Sequence, residues 1–209
     1  MKTIQFDEHG YLKPYEGLEA TVETLKEYFV DGFNENGSRF VLFENYLQYI
    51  EGFKEKVFPY FEQWVNGSFV SRHPNPRDID LVTFLDYRVF HAKEKLLDGF
   101  LSFSLEPQGI DAYIVPVFPD GHEHFSVTKK FESQWLNRFS WTKADNADRI
   151  FRKGFLKIKF VTIIKTIIIK ITISPPLPSL IQSGIHPLLT PPSTTPTANT
   201  PYKSQNWPP

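Results

Sequence analysis

The 209-residue chain contains no cysteine. That excludes disulfides, thiolate metal centres and cysteine nucleophiles, and a cytoplasmic protein is the expectation. Strong charge of either sign is also missing: the net charge is −1, so neither long nucleic acid nor a membrane surface is an expected partner. No phosphate-loop GxxxxGK[ST], no GxSxG nucleophile elbow, no HExxH and no dinucleotide GxGxxG occurs, which removes local support for those enzyme classes. Met1 to Gly17 has no apolar run of the kind a secretory leader needs, so none is expected. The longest apolar stretch, Val161–Ile173, is only 13 residues and carries Lys165 and Lys170, too short to span a bilayer. Acid is absent altogether beyond Asp148.

That last absence divides the chain. From Val161 to Pro209 the only charged groups are three lysines, and 10 of the 17 prolines lie there. Removing those lysines from the 23 basic residues leaves 20 against 24 acids, so residues 1–160 carry about −4. Three segments are expected: a helical N-terminal arm over 1–58, a core over 59–160, and an Ile/Thr-rich then Pro-rich tail over 161–209 outside the functional fold. The tail's β-branched run is prone to β-pairing, and its Pro/Thr/Ser-rich remainder cannot build a core.

What the chain does contain is a well-stocked core, with 20 phenylalanines and 16% aromatics. After an extended lead-in, apolar residues at helical spacing predict a first helix from Ala20 to Phe29. A second runs from an N-capping Ser38 to about Val57, with Val41, Leu42, Tyr46, Leu47, Tyr49, Ile50 and Phe53 on its apolar face. Strands are predicted at Phe61–Asn66, across Asp78–Asp86, at Ile110–Phe118 and at Gly154–Phe160. The last is placed at a sheet edge because its polar positions are lysines. Helices are predicted over Tyr87–Leu101 and Phe125–Phe139, the latter with Phe131, Trp135, Leu136 and Phe139 inward. This order indicates an α+β (α/β-like) domain, a small mixed sheet with flanking helices.

One stretch asks for chemistry: Trp64–Asp86, WVNGSFVSRHPNPRDIDLVTFLD. On a strand, residues i and i+2 share a face, so Asp78 and Asp80 stand side by side. Adjacent carboxylates repel, and a divalent cation resolves the conflict. Mg²⁺ takes one or two carboxylates plus phosphate oxygens rather than a full protein cage. Gly67 permits close backbone approach to a phosphate, and Ser68 adds a hydroxyl and a possible helix cap. An ordinary turn followed by a solvated strand edge would read similarly. Against it, Leu81-Val82-Thr83-Phe84-Leu85 is a buried-strand pattern, so the acids enter a core strand. A third acid, Asp111, opens the next predicted strand, while Asp86, Asp98 and Asp120 are weaker candidates for that place.

Val65, Gly67-Ser68, a spacer and Asp78-Ile79-Asp80 resemble the signature of the DNA polymerase β-like nucleotidyltransferase superfamily, with Asn66 as a departure before the glycine. Asp111-Ala-Tyr-Ile-Val-Pro and Arg152-Lys153-Gly154-Phe155 extend the likeness, over roughly residues 1–160, to a small bacterial group of nucleotidyltransferase-like proteins. The resemblance implies a nucleotidyltransferase fold and transfer of a nucleoside monophosphate from an NTP to a hydroxyl acceptor, with Mg²⁺ or Mn²⁺. It implies Asp78, Asp80 and Asp111 as catalytic metal ligands. Gly67, Ser68, Arg72, Arg77 and Lys153 are implied as nucleotide-binding, the arginines and lysine toward phosphate. The acceptor, protein, RNA end or small molecule, stays open. A catalytically weak nucleotidyltransferase-like binding or antitoxin-type regulatory module stands as the alternative, and a purely structural α+β domain as a third reading. His122-Glu123-His124 is expected to be a surface turn rather than a zinc site.

Overall fold

Strands β4 (Phe61–Asn66) and β5 (Ile79–Asp86) are buried on nearly every residue, as strands covered on both faces must be. They pair antiparallel at the centre of the molecule. In the computed structural model, which describes residues 4–33, 37–101, 105–145 and 147–161, they belong to a five-stranded mixed sheet. The other members are β3 (Gly17–Ala20), β6 (Ile110–Val117) and β7 (Phe155–Phe160), in the order β3-β7-β4-β5-β6. β6 runs parallel to β5, and β3 runs parallel to β7. A small hairpin, β1 (Gln5–Phe6) and β2 (Leu12–Lys13), precedes the sheet. All of this lies in one compact unit, Met1–Lys165. The segment after Val161, including the expected Ile/Thr-rich run and Pro-rich tail, lies outside the described residues.

The sheet divides its side chains between two apolar layers. Val65, Leu81, Leu85, Ile110, Ile114, Leu156 and Ile158 join Leu42, Tyr46, Ile50 and Phe53 of helix α2 (Ser38–Lys56). Helix α1 (Val22–Phe29), capped by the Thr21 hydroxyl accepting from Thr24 N, adds Leu25 and Phe29 to the same layer. On the other face Trp64, Val82, Phe84, Val115 and Phe155 pack under Trp135 and Phe139 of a long C-terminal helix, Phe125–Phe139. The result is the mixed α+β architecture expected from the order of elements.

Several local expectations are corrected. β7 is interior, flanked by β3 and β4, because both neighbours supply partners for its lysines. Lys157 Nζ lies 4.5 Å from the Trp64 ring, and Lys159 Nζ lies 3.1 Å from Glu19 Oε1 and 3.9 Å from Glu62 Oε2. Part of the lead-in, β3, forms a sheet edge instead. The helix expected over Tyr87–Leu101 breaks into α3 (Tyr87–Ala92) and α4 (Glu94–Leu97) at Lys93, whose ψ of 12° leaves the helical range. The long C-terminal helix is therefore α5. Its Leu136 is 44% exposed, and Thr128 turns inward instead, exchanging hydrogen bonds with the Phe118 backbone. In α2, Val41 faces solvent while Arg39 is buried. Ser38 is the first helical residue rather than the cap, and its hydroxyl donates to Pro76 O at 2.6 Å.

Candidate functional site

The pairing register decides which acids meet. Asp80 on β5 is the direct cross-strand partner of Asp111 on parallel β6, and of Asn66 on antiparallel β4. Paired residues in a sheet direct their side chains to the same face. Asn66, Asp80 and Asp111 thus form one row across three strands, beyond the apolar row of Trp64, Val82 and Tyr113. Asp78 immediately precedes β5, two residues before Asp80. Asp78, Asp80 and Asp111 are each half-buried at the mouth of the sheet.

Gly67 closes this row from below. Its φ of 86° and ψ of −171° fall in a region that is essentially glycine-only. A Cβ built there would collide with Asp80 Oδ2. The glycine therefore makes room for a carboxylate of the chain itself. Gly67→Ala is expected to lower the unfolding free energy by about 2–3 kcal/mol, through backbone strain together with displacement of Asp80. In a denaturation double-mutant cycle with Asp80→Ala, part of that loss should be recovered, since the two residues touch. Additive losses would show that the contact carries no energy.

Electrostatically the row is a mixed cluster. Burial, above all, pushes Asp80 up to about 6, with Asp111 and Asp78 adding to the rise and Lys153 and Lys143 opposing it. Lys153 is itself pushed down by burial, while Asp80 and Asp78 favour its charge. Tyr113, raised by burial first and by Asp111 second, shares hydrogen bonds with Asp111 and with Arg138. Lys153 is held by its backbone N–H donating to Ser140 O at 3.0 Å. The next residue, Gly154, donates to Leu12 O at 2.8 Å, where a Cβ would press on the carbonyls of Pro14 and Leu12. The glycine after the lysine admits the N-terminal segment.

The remaining expected residues are dispersed. Ser68 opens a short 3-10 turn, Ser68–Val70, with Gly67 at its cap position. Arg72 is exposed and lies with its guanidinium carbon 4.3 Å from the Phe6 ring, under the N-terminal hairpin. Arg77 is exposed, its carbonyl close to Gly109. Neither arginine is among the leading charges acting on Asp80. Asp86 is taken up by Arg88 at 2.6 Å. His122 and His124 lie in an exposed turn against the Phe118 ring.

What shapes the loop after Gly67 is a residue that sequence reasoning passed over. Arg39, fully buried, donates to the carbonyls of Phe29 (2.8 Å), Phe69 (2.7 Å), Ser68 (3.3 Å), Ser71 (2.9 Å) and His73. Its guanidinium carbon sits 3.9 Å from the Phe33 ring. Burial first, and Arg72 second, push it down to about 10, so it is still a cation at neutral pH. With Ser38 bonded to Pro76, the first turn of α2 fixes the connection between β4 and β5. The signal was available. Arg39 stands one helical turn before Leu42 and Phe43 and two before Tyr46, where an apolar residue belongs.

A family model, described as a family of unknown function (DUF6932), matches residues 4–159, from the first hairpin into β7. The chain belongs to that family. Nothing matches the chain among the curated proteins or among the solved structures. The DUF6932 match takes in Gly67, all three acids, Lys143 and Lys153, and it stops before the acid-free tail. No helix among the described residues is long and apolar enough to cross a membrane.

Proposed function

We propose that this DUF6932 protein is a metal-dependent nucleotidyltransferase-like enzyme that moves a nucleoside monophosphate from an NTP to a hydroxyl acceptor in the cytoplasm. The observation that carries this reading is the in-register pairing of Asp80 with Asp111, with Asp78 two residues away. Lys153 and Lys143 act on the same carboxylate. Acids for a cation beside lysines for phosphate is the donor set a nucleoside triphosphate requires. The strand order supports it as well: Gly67-Ser68 leaves one strand, the paired acids enter its antiparallel neighbour, and the third acid lies on the next.

A Mg²⁺ or Mn²⁺ fits the residues present. Asp80, held half-buried near pKa 6 beside two further acids, is a carboxylate whose charge a cation would stabilise. Among the described residues no group of three or more His, Asp or Glu side chains is gathered closely enough to hold an ion alone. Mg²⁺ does not need such a cage, since phosphate oxygens and water fill the remaining positions. Asp78, Asp80 and Asp111 would hold it, and it would supply charge neutralisation to the triphosphate and Lewis acidity toward the acceptor oxygen. Lys153 and Lys143 would bind phosphate oxygens and stabilise departing pyrophosphate. In the balanced reaction the acceptor oxygen bonds the α-phosphorus, the α–β bridging bond breaks, and the hydroxyl proton leaves to solvent.

Calorimetry with ATP, GTP, CTP and UTP, with and without Mg²⁺ or Mn²⁺, tests the proposal. One of the four is expected to bind only with the cation, and Asp78→Asn/Asp80→Asn to abolish that binding. Failure of the folded wild type to bind any of the four would sink the catalytic reading and favour a regulatory module that acts through a partner.

A further inference from the structure

Asn66, the one departure from the motif around Gly67-Ser68, carries an unmet bond. It is 1% exposed, and its Nδ2 donates to Phe139 O at 2.9 Å, at the C-terminal end of α5. Its Oδ1 is the one buried side-chain polar atom among the described residues without a hydrogen-bond partner. The amide orientation is settled by chemistry: a backbone carbonyl only accepts, so the NH₂ must face Phe139 and the oxygen must point away. Buried acceptors are rarely left unmatched, and each exception calls for a reason.

The register supplies one. Asn66 is the direct cross-strand partner of Asp80, and paired side chains on one face have Cβ atoms about 5 Å apart. Asp80 Oδ2 leans toward this strand, against the Cα of Gly67, the residue after Asn66. The side chains of this row are therefore two carboxylates, Asp80 and Asp111, and one amide whose oxygen is turned away from Phe139. A hard divalent cation accepts carbonyl oxygens alongside carboxylates, and an amide adds a ligand without adding negative charge to an already crowded row. We propose that Asn66 Oδ1 is a neutral oxygen ligand of the cation held by Asp80 and Asp111. The inference rests on the cation-dependent reading above and assigns a residue that reading did not include.

The test is Mn²⁺ binding to the full chain, followed by electron paramagnetic resonance of free Mn²⁺, with unfolding measured in parallel. Asn66→Leu removes the oxygen and is expected to weaken Mn²⁺ binding about tenfold or more. Asn66→Asp keeps an oxygen and adds charge, and is expected to tighten binding, although it also loses the donor to Phe139. A purely structural Asn66 would move both variants the same way, in step with their stability. Should Asn66→Leu not fold, Asn66→Asp decides: binding no tighter than wild type overturns the inference. Wild-type binding lost in Asp80→Asn but unchanged in both Asn66 variants overturns the Asn66 assignment and leaves the cation site standing. No Mn²⁺ binding by wild type overturns both.

Discussion

Arg39→Met is expected to lower the unfolding free energy by about 3–5 kcal/mol, the largest stability loss of any single substitution proposed for this chain. Methionine matches the length and apolar stem of arginine but has no donor. It would leave the carbonyls of Phe29, Ser68, Phe69, Ser71 and His73 without the guanidinium that now joins them. An unsatisfied buried acceptor costs about 1–3 kcal/mol, though some of these carbonyls would relax toward water. Arg39→Lys tests geometry against charge. A lysine keeps the cation but not the fork, so it should recover only part of the loss. The site should respond along with the fold, because four of the five carbonyls belong to Ser68–His73, the segment directly after Gly67. Urea denaturation reads the first effect, and proteolysis within Ser68–His73 the second. An Arg39→Met protein within 1 kcal/mol of wild type, with this segment still protected, would show that the carbonyls find other partners.

The contrast between Arg39 and Asp80 shows what the sequence could and could not disclose. Strand β4 and helix α5 were legible because their apolar spacing and terminators agree. Asp111 was legible as a strand-entry acid one helix after the Asp78–Asp80 pair. The interior position of β7 was not, since lysines on a strand suggest solvent until Trp64, Glu19 and Glu62 are known to lie beside them. Such cross-strand partners are set by topology. The exposure of Val41 and Leu136 has a related origin: spacing gives a stripe, while packing decides how wide it is. Sequence reasoning gives Gly67 a phosphate as its reason; in the structure its positive φ and the carboxylate of Asp80 are what require a glycine there. Lys143 lies in a polar loop with no local pattern, and only the fold brings its charge to bear on Asp80.

Asp80 itself should show the tension between stability and site chemistry. Its carboxyl is raised from 3.8 to about 6, mainly by burial. Between those values the folded protein holds a proton that the unfolded chain has released. Stability therefore falls as pH rises through that window, and the full penalty is present above about 6. Asp80→Asn removes the penalty. Two pKa units correspond to about 3 kcal/mol at most. Partial exposure and the loss of a partner for Lys153 reduce this to about 1–2 kcal/mol, or roughly 2–8 °C in melting temperature for a chain of this size. In chelator at pH 7.5 the variant should melt above wild type, and at pH 4 the two should nearly coincide. Saturating Mn²⁺ should reverse the order at pH 7.5, because only wild type gains stability from binding. A variant that melts below wild type in chelator at pH 7.5 would mean that Lys153 and Lys143 already neutralise Asp80. The row would then be a satisfied ion-pair cluster with no call for a cation.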